Sequence, residues 1–274
     1  MSDTKIVDYP DISKDELTNA VKFMGTGQFT VAQFLHLISK NQDQCFLFPV
    51  SLSYSNFCSI GKVDLGGKSE ILFNWNAYED KLSLPLYDTE EELTSFIKDS
   101  CSDKYRFIVA FLRMESFSED NNGFVFHRNV LIYDKEKKTF ERFDPNGITN
   151  SIFNPDILDR KLGTLFSNML GPLHYIRPNG ICSTRGIQYV EEELRLKSGQ
   201  PPLFKKGMCS VWSFVYLNYR LQFPNIAPNK IHDMLIKNVE KQSHEAVKLI
   251  VMFTRLYNRC KSARSDDELI KAIY

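Results

Sequence analysis

The 274-residue chain has no excess charge of either sign, with Lys plus Arg and Asp plus Glu each numbering 34. That balance leaves no electrostatic signal for nucleic acid or for an anionic membrane surface. There is no CxxC pair and no Cys/His cluster. The six cysteines, Cys45, Cys58, Cys101, Cys182, Cys209 and Cys260, are scattered along the chain. Such spacing indicates neither structural zinc nor a disulfide scaffold, and reduced thiols in a cytosolic setting are expected. Met1-Ser2-Asp3-Thr4-Lys5 lacks the apolar core of a signal peptide. The longest aliphatic run, Leu249 to Phe253, is far too short to span a bilayer, so a soluble intracellular protein is expected. Gly66-Gly67 lacks the spacing and following helix of a phosphate-binding loop, and no repeat or low-complexity tract is visible. Glycine (13) and proline (11) are modest beside 21 phenylalanines, which predicts a packed globule rather than disorder.

What the chain does have is one segment, Gly207 to Arg220, that is apolar or aromatic at nearly every position from Val211 onward. A helix apolar all round belongs at the centre of a domain. Gly207 breaks the chain before it, and Pro224-Asn225 ends it. Cys209 then falls in the first helical turn, where unpaired N–H groups and the positive end of the dipole favour a thiolate.

Taken in order, 15–24 and 30–40 read as short helices, and His36, within the second, reads as a core or boundary histidine. Segments 45–50 and 70–75 read as strands, and Thr89 caps a helix to about Ile97. Arg106 to Arg113 is a continuous apolar run, the pattern of a strand buried on both faces. After a loop at 116–123, Phe124 to Tyr133 and Thr139 to Phe143 read as strands joined by a hairpin turn at 134–138. Asp144-Pro145-Asn146-Gly147 is a turn. Helices are expected at 156–170, 228–239, 244–259 and 265–273. Helices, then a meander of strands, then helices predict an α+β fold with a central, mostly antiparallel sheet against the buried helix. The expected division is an N-terminal accessory region, 1–85, and a catalytic domain with a C-terminal helical extension, 86–274.

A nucleophilic cysteine needs a base and a group that fixes the base's tautomer. His127 lies near the start of one strand and Asp144 just past the end of the next. A hairpin folded at 134–138 brings both to the same end of the sheet. Asn129 and Glu141 compete with Asp144 as orienter. Asn129 shares a strand face with His127 and can stand behind it instead, while Glu141 reads as a surface position. Cys182 lies in a loop without a helix start, and His174 near it has no acidic partner. Glu191-Glu192-Glu193 reads as a solvated helix face rather than a metal site.

The order His127, Asp144, Gln188, Cys209 resembles the Ulp1/adenovirus-protease-like cysteine peptidases. The pieces that carry the resemblance are His127 to Asp134, Glu141 to Gly147, Gly186-Ile187-Gln188 and Gly207 to Ser213, within residues 105–225. Their wording is similar to a subgroup found in large DNA viruses. The resemblance implies a papain-like or adenain-like fold with His127 as general base and Asp144 as its orienter. It gives Gln188 a share of the oxyanion hole and makes Cys209 the nucleophile. Gln200 is an alternative to Gln188, and Arg128 stands where the family often carries Trp. Asn129, Met208 and Trp212 are candidates for substrate contact.

No metal or cofactor is implied. The implied substrates are ubiquitin or ubiquitin-like conjugates ending in Gly-Gly, or viral structural precursors, in host cytoplasm or virion. The competing expectations are a non-catalytic module on the same fold that binds such a partner, and an acetyltransferase built on the same residues.

Overall fold

The computed structural model describes residues 12–23, 29, 32–33, 35–37, 44–47, 72–84, 88–101, 105–120, 122–182, 185–197, 208–241 and 245–273. Expectations placed on Cys58, Gly66, Gly67, Gln200 and Gly207 lie outside them. The strands are β1 (Gln44–Phe46), β2 (Phe73–Asn76), β3 (Lys81–Ser83), β4 (Phe107–Ser118), β5 (Gly123–Asp134), β6 (Thr139–Phe143) and β7 (His174–Ile176). The helices of eight residues or more are, among the described residues, α1 (Lys14–Phe23), α2 (Glu90–Ser100), α3 (Pro155–Leu170), α4 (Ile187–Lys197), α5 (Met208–Gln222), α6 (Pro228–Glu240), α7 (Glu245–Lys261) and α8 (Asp266–Ile273). Phe29, Ala32, Gln33, Leu35, His36 and Leu37 are also helical.

The sheet runs β3-β2-β4-β5-β6-β7, with β1 also pairing β4. Its long ladders are antiparallel, β4 with β5 from Phe107↔Asp134 to Ser118↔Gly123 and β5 with β6 from Val130↔Phe143 to Asp134↔Thr139. The pairings of β4 with β1 and β2 and of β6 with β7 are parallel. The β5–β6 turn is held by Asp134, whose Oδ1 accepts from the backbone N–H of Glu136 at 3.1 Å. Both Asp134 oxygens also take the fork of Arg106, at 3.1 and 2.9 Å. That bidentate ion pair fixes the start of β4 against the end of β5. The loop expected at 116–123 is shorter than the sequence pattern implies, because Phe117 and Phe124 pair edge-to-face at 5.7 Å and carry the ladder outward.

Strand period divides the interior in two. Phe107, Val109, Phe111, Val130, Ile132 and Phe143 face α5 and the helices around it, whereas Ile108, Ala110, Leu112, Leu131 and Tyr133 face α2 and α3. Burial on both faces is why these strands read as unbroken apolar runs. The largely apolar helix α5 is covered on its far side by the N-terminal and C-terminal helices. Leu17, Ala20, Phe29, Leu35, Val247, Ile250 and Phe253 share its core. The helices of the expected accessory region are therefore part of the core that holds α5, and β2 and β3 belong to the same sheet as β4. His36 packs against the rings of Phe214 and Phe253 at 5.8 and 5.5 Å, a core histidine as its neighbours imply.

Two expectations need correction. Glu141 is not a surface residue. It lies on the sheet face covered by α5, 1 % exposed, with Arg220 Nε donating to it at 2.8 Å and the Tyr216 hydroxyl at 3.4 Å. Nor are all the thiols reduced, since Cys45 and Cys101 form a disulfide. β1 pairs with the start of β4, and α2 ends just before it, so residues 56 apart in sequence meet with Cα atoms 5.2 Å apart. Linear spacing hides such a pair. In the chain-entropy description, closing a loop of this length stabilises the fold by about 4 kcal/mol. A Cys45→Ala/Cys101→Ala variant is expected to unfold at lower urea concentration by about that amount, with iodoacetamide reactivity of Cys209 unchanged.

Candidate active site

The β5–β6 register sets the geometry of the site. Val130 pairs with Phe143, so Asp144 leaves β6 beside the outer half of β5, where His127 lies. His127 Nε2 meets Asp144 Oδ1 at 2.7 Å, and both side chains are buried. The Asp144 turn closes on itself: Asn146 N–H donates to Oδ1 at 2.9 Å, and Gly147 N–H donates to the Asp144 carbonyl at 2.9 Å. The Thr149 hydroxyl donates to Oδ2 at 2.6 Å. Burial alone would raise the Asp144 pKa. The His127 charge and hydrogen bond, with Arg142 and Thr149 behind them, outweigh it and hold the carboxyl well below the usual range.

Nε2 being engaged, Nδ1 is the ring nitrogen left for Cys209, to which His127 is hydrogen-bonded. Burial would lower the His127 pKa, but Asp144 and the Cys209 thiolate carry it up to about 10. For Cys209, burial raises the pKa. The His127 hydrogen bond and charge, the Arg128 guanidinium and the Arg128 backbone N–H together bring it below the ordinary value. Cys209 is the second residue of α5, so its backbone N–H is among those a helix leaves unpaired. Both shifts act in the direction that favours thiolate and imidazolium over thiol and neutral imidazole. The other free cysteines among the described residues differ: Cys182 and Cys260 are buried, and burial raises both thiols. Cys182 donates weakly to the Asp144 carbonyl, Sγ to O 3.9 Å, and His174 is exposed.

Behind Asp144 lies a network that local sequence does not reveal. Arg142 donates from Nε to Asp159 at 2.8 Å, and from Nη1 to Asn129 Oδ1 at 2.6 Å and Thr149 Oγ1 at 2.9 Å. Its Nη1 stands 3.9 Å from Asp144 Oδ2. Tyr175 closes the far side by donating to Asp159 at 2.6 Å. Asn129 is therefore engaged behind the dyad and has no surface open to a substrate, being 0 % exposed. Met208 and Trp212 are likewise buried, and the Trp212 indole N–H donates to Glu191 at 2.8 Å, tying α5 to α4. Glu191 to Glu193 lie on α4, with Glu193 pairing Lys197 and Arg185. Among the described residues no group of His, Cys, Asp and Glu could hold a metal ion, and no helix is long and apolar enough to cross a membrane.

Gln188 is joined to the Asp144 turn through the backbone. Its N–H donates to the Pro145 carbonyl at 3.1 Å. Gly186 and Gly147 pack backbone to backbone: a Cβ on Gly186 would stand 2.0 Å from the Asn146 carbonyl carbon. Gly147, at φ +83°, is also in the left-handed region that favours glycine. The Gln188 Oε1 is buried and has no hydrogen-bond partner among the described residues. The structure thus brings His127, Asp144 and Cys209 into one hydrogen-bonded line and holds Gln188 on the adjoining turn.

No family model matches the chain. An ankyrin repeat protein, L371, of Acanthamoeba polyphaga mimivirus is 26 % identical over 262 residues, which cover 89 % of this chain and 32 % of that protein. The chain therefore spans about a third of that relative's length. Among solved structures, the effector ChlaDUB1 of Chlamydia trachomatis superposes with a TM-score of 0.41 at 9 % identity, over 88 % of this chain and 96 % of the other. ChlaDUB of Chlamydia abortus gives 0.36 at 11 %, over 83 % and 98 %. The SUMO protease Ulp1 gives 0.32 at 10 %, over 85 % and 97 %. Likeness at these levels assigns no role to any residue.

The thiolate–imidazolium pair persists from the depressed Cys209 pKa up to the raised His127 pKa. Alkylation of Cys209 by iodoacetamide, followed by peptide mass spectrometry, should therefore extend to lower pH than that of an ordinary thiol and be lost as pH falls through the Cys209 pKa. In His127→Ala the thiol returns to the ordinary range or above, and the rate at pH 6.5 should fall on the order of 100-fold.

Proposed function

We propose that the chain is a cysteine peptidase of the Ulp1/adenovirus-protease-like type, acting on ubiquitin or ubiquitin-like conjugates. The observation that carries this reading is the line Asp144–His127–Cys209, with the nucleophile at a helix start and the base oriented by a buried carboxylate. Attack of the Cys209 thiolate on a carbonyl carbon forms a C–S bond and a tetrahedral oxyanion. The Cys209 backbone N–H and the Gln188 side-chain amide are the donors proposed for that oxygen. His127, protonated, gives its Nδ1 proton to the leaving amine as the C–N bond breaks, leaving a thioester. It then takes a proton from the water that hydrolyses the thioester, releasing the acid and the free thiol. Asp144 keeps the imidazole in the tautomer and orientation that both transfers need.

The modifier substrate rests on the resemblance of the motifs around His127, Asp144, Gln188 and Cys209. Conjugates cleaved after Gly-Gly fit an acyl-transfer site built on a cysteine nucleophile.

The test is a panel of ubiquitin-like proteins carrying C-terminal electrophiles. Labelling is expected in the wild type and should vanish in Cys209→Ala and His127→Ala. Asp144→Asn should lower turnover by about 10³- to 10⁴-fold, the effect of a wrong tautomer. Labelling that survives Cys209→Ala would overturn the assignment. Reactivity with iodoacetamide but with no member of the panel would overturn the modifier as substrate.

A further inference from the structure

Three residues with no step in this mechanism meet at the first turn of α5. Gln33 is 1 % exposed and grips Ser210 at two points. Its Nε2 donates to the Ser210 carbonyl at 3.3 Å, and its Oε1 accepts from the Ser210 hydroxyl at 3.2 Å. The same hydroxyl accepts from Arg128 Nη1 at 3.4 Å. One turn further along α5, the Ser213 hydroxyl donates to the Arg128 carbonyl at 3.2 Å. Ser210 follows the nucleophile, and Arg128 follows the base.

Apolar packing does not require this polar contact. The helical segment that carries Gln33 already rests on α5 through His36 and Phe214. Burying a carboxamide costs free energy unless its hydrogen bonds are made, and a clamp on Ser210 makes two of them. Fixing the Ser210 hydroxyl fixes an acceptor for the Arg128 guanidinium. Arg113 and Arg128 face each other across β4 and β5, a like-charge pair that is unfavourable unless each cation has a counter-charge. Glu115 Oε2 lies 3.4 Å from Arg113. One negative charge near Arg128 is the Cys209 thiolate, and the two stabilise each other.

We infer that Gln33 is a positioning residue for the nucleophile: through Ser210 it holds the Arg128 guanidinium beside the Cys209 sulfur. The N-terminal helical segment is then a working part of the active site. Loosening it would disarm the thiol without touching His127 or Asp144. The inference rests on the peptidase reading only for its kinetic consequence, because the state of the thiol can be read without turnover.

The test uses the full chain. Gln33→Met keeps the side chain's length and removes both hydrogen bonds, and Ser210→Ala removes one oxygen. Each variant should move the midpoint of the Cys209 alkylation profile up by about one pH unit, which is about tenfold slower reaction at pH 6.5. Each should also lower kcat about tenfold on an electrophile-free modifier amide, with KM unchanged. The double variant should be no worse than the worse single, because the two residues act in series. An unmoved alkylation profile in folded Gln33→Met, or additive losses, would overturn the inference. If Gln33→Met lowers the folded fraction, Ser210→Ala decides on the same readouts. A shifted profile in a protein that cleaves no modifier would leave the inference standing and remove the peptidase reading. An unshifted profile in an active peptidase would do the reverse.

Discussion

The interaction on which the rest depends is a row of charges of alternating sign running through the interior. Asp159, Arg142, Asp144, His127, Cys209 and Arg128 follow one another, each next to a neighbour of opposite charge. Each member would be costly to bury alone, because a charge taken out of water needs a partner and satisfied hydrogen bonds. Together, with Cys209 as thiolate, they sum to zero. Neutral polar groups take up remaining capacity: Thr149 and Asn146 on Asp144, Asn129 on Arg142 and Tyr175 on Asp159. The site lies at the end of this row that meets solvent. Cys209 and Arg128 are partly exposed there, whereas His127 and Asp144 are not.

Both the sheet and the helices serve that row. The inner halves of β4 and β5 are buried on both faces, each packed into a different core. The ion pair of Arg106 with Asp134 fixes one end of their pairing. Register then determines where β6 ends and therefore where Asp144 stands. α5, covered on every side, brings Cys209 to the outer half of β5 from the opposite direction. Its buried Arg220 is held by Glu141 of β6, and Tyr216 stacks on Phe143 with ring centroids 3.8 Å apart. Strand and helix are thus fastened to each other beneath the reacting atoms.

The local part of this design was legible in the sequence. The apolar run 106–113 marked a strand with two buried faces, the charged turn 134–138 gave the hairpin, and Gly207 before an all-apolar stretch placed Cys209 in the first turn of a buried helix. Those readings depend on neighbours within a few residues, where propensity and periodicity act. Contacts between distant segments were not legible. Arg142 carries no local signal that it stands behind Asp144, and Gln33 none that it reaches Ser210, 177 residues away. Glu141 looked like a surface acid because nothing near it in sequence announces Arg220. Cys45 and Cys101 looked like isolated thiols because their meeting depends on how β1 joins the sheet. Polar residues were misjudged more often than apolar ones for one reason: burial of a charge is decided by a partner, and partners lie elsewhere in the chain.

The contact between Gly147 and Gly186 constrains how this molecule can vary. Two stretches of main chain touch there with no side chain between them, one leading from Asp144 and the other into the helix of Gln188. They behave as one solid piece, so the Asp144 carboxylate and the Gln188 backbone are positioned together. A loop grafted between Asp144 and Thr149, or between Cys182 and Gly186, would move both groups together. Insertions that leave both groups in place must therefore fall elsewhere around the site, while this seam stays closed.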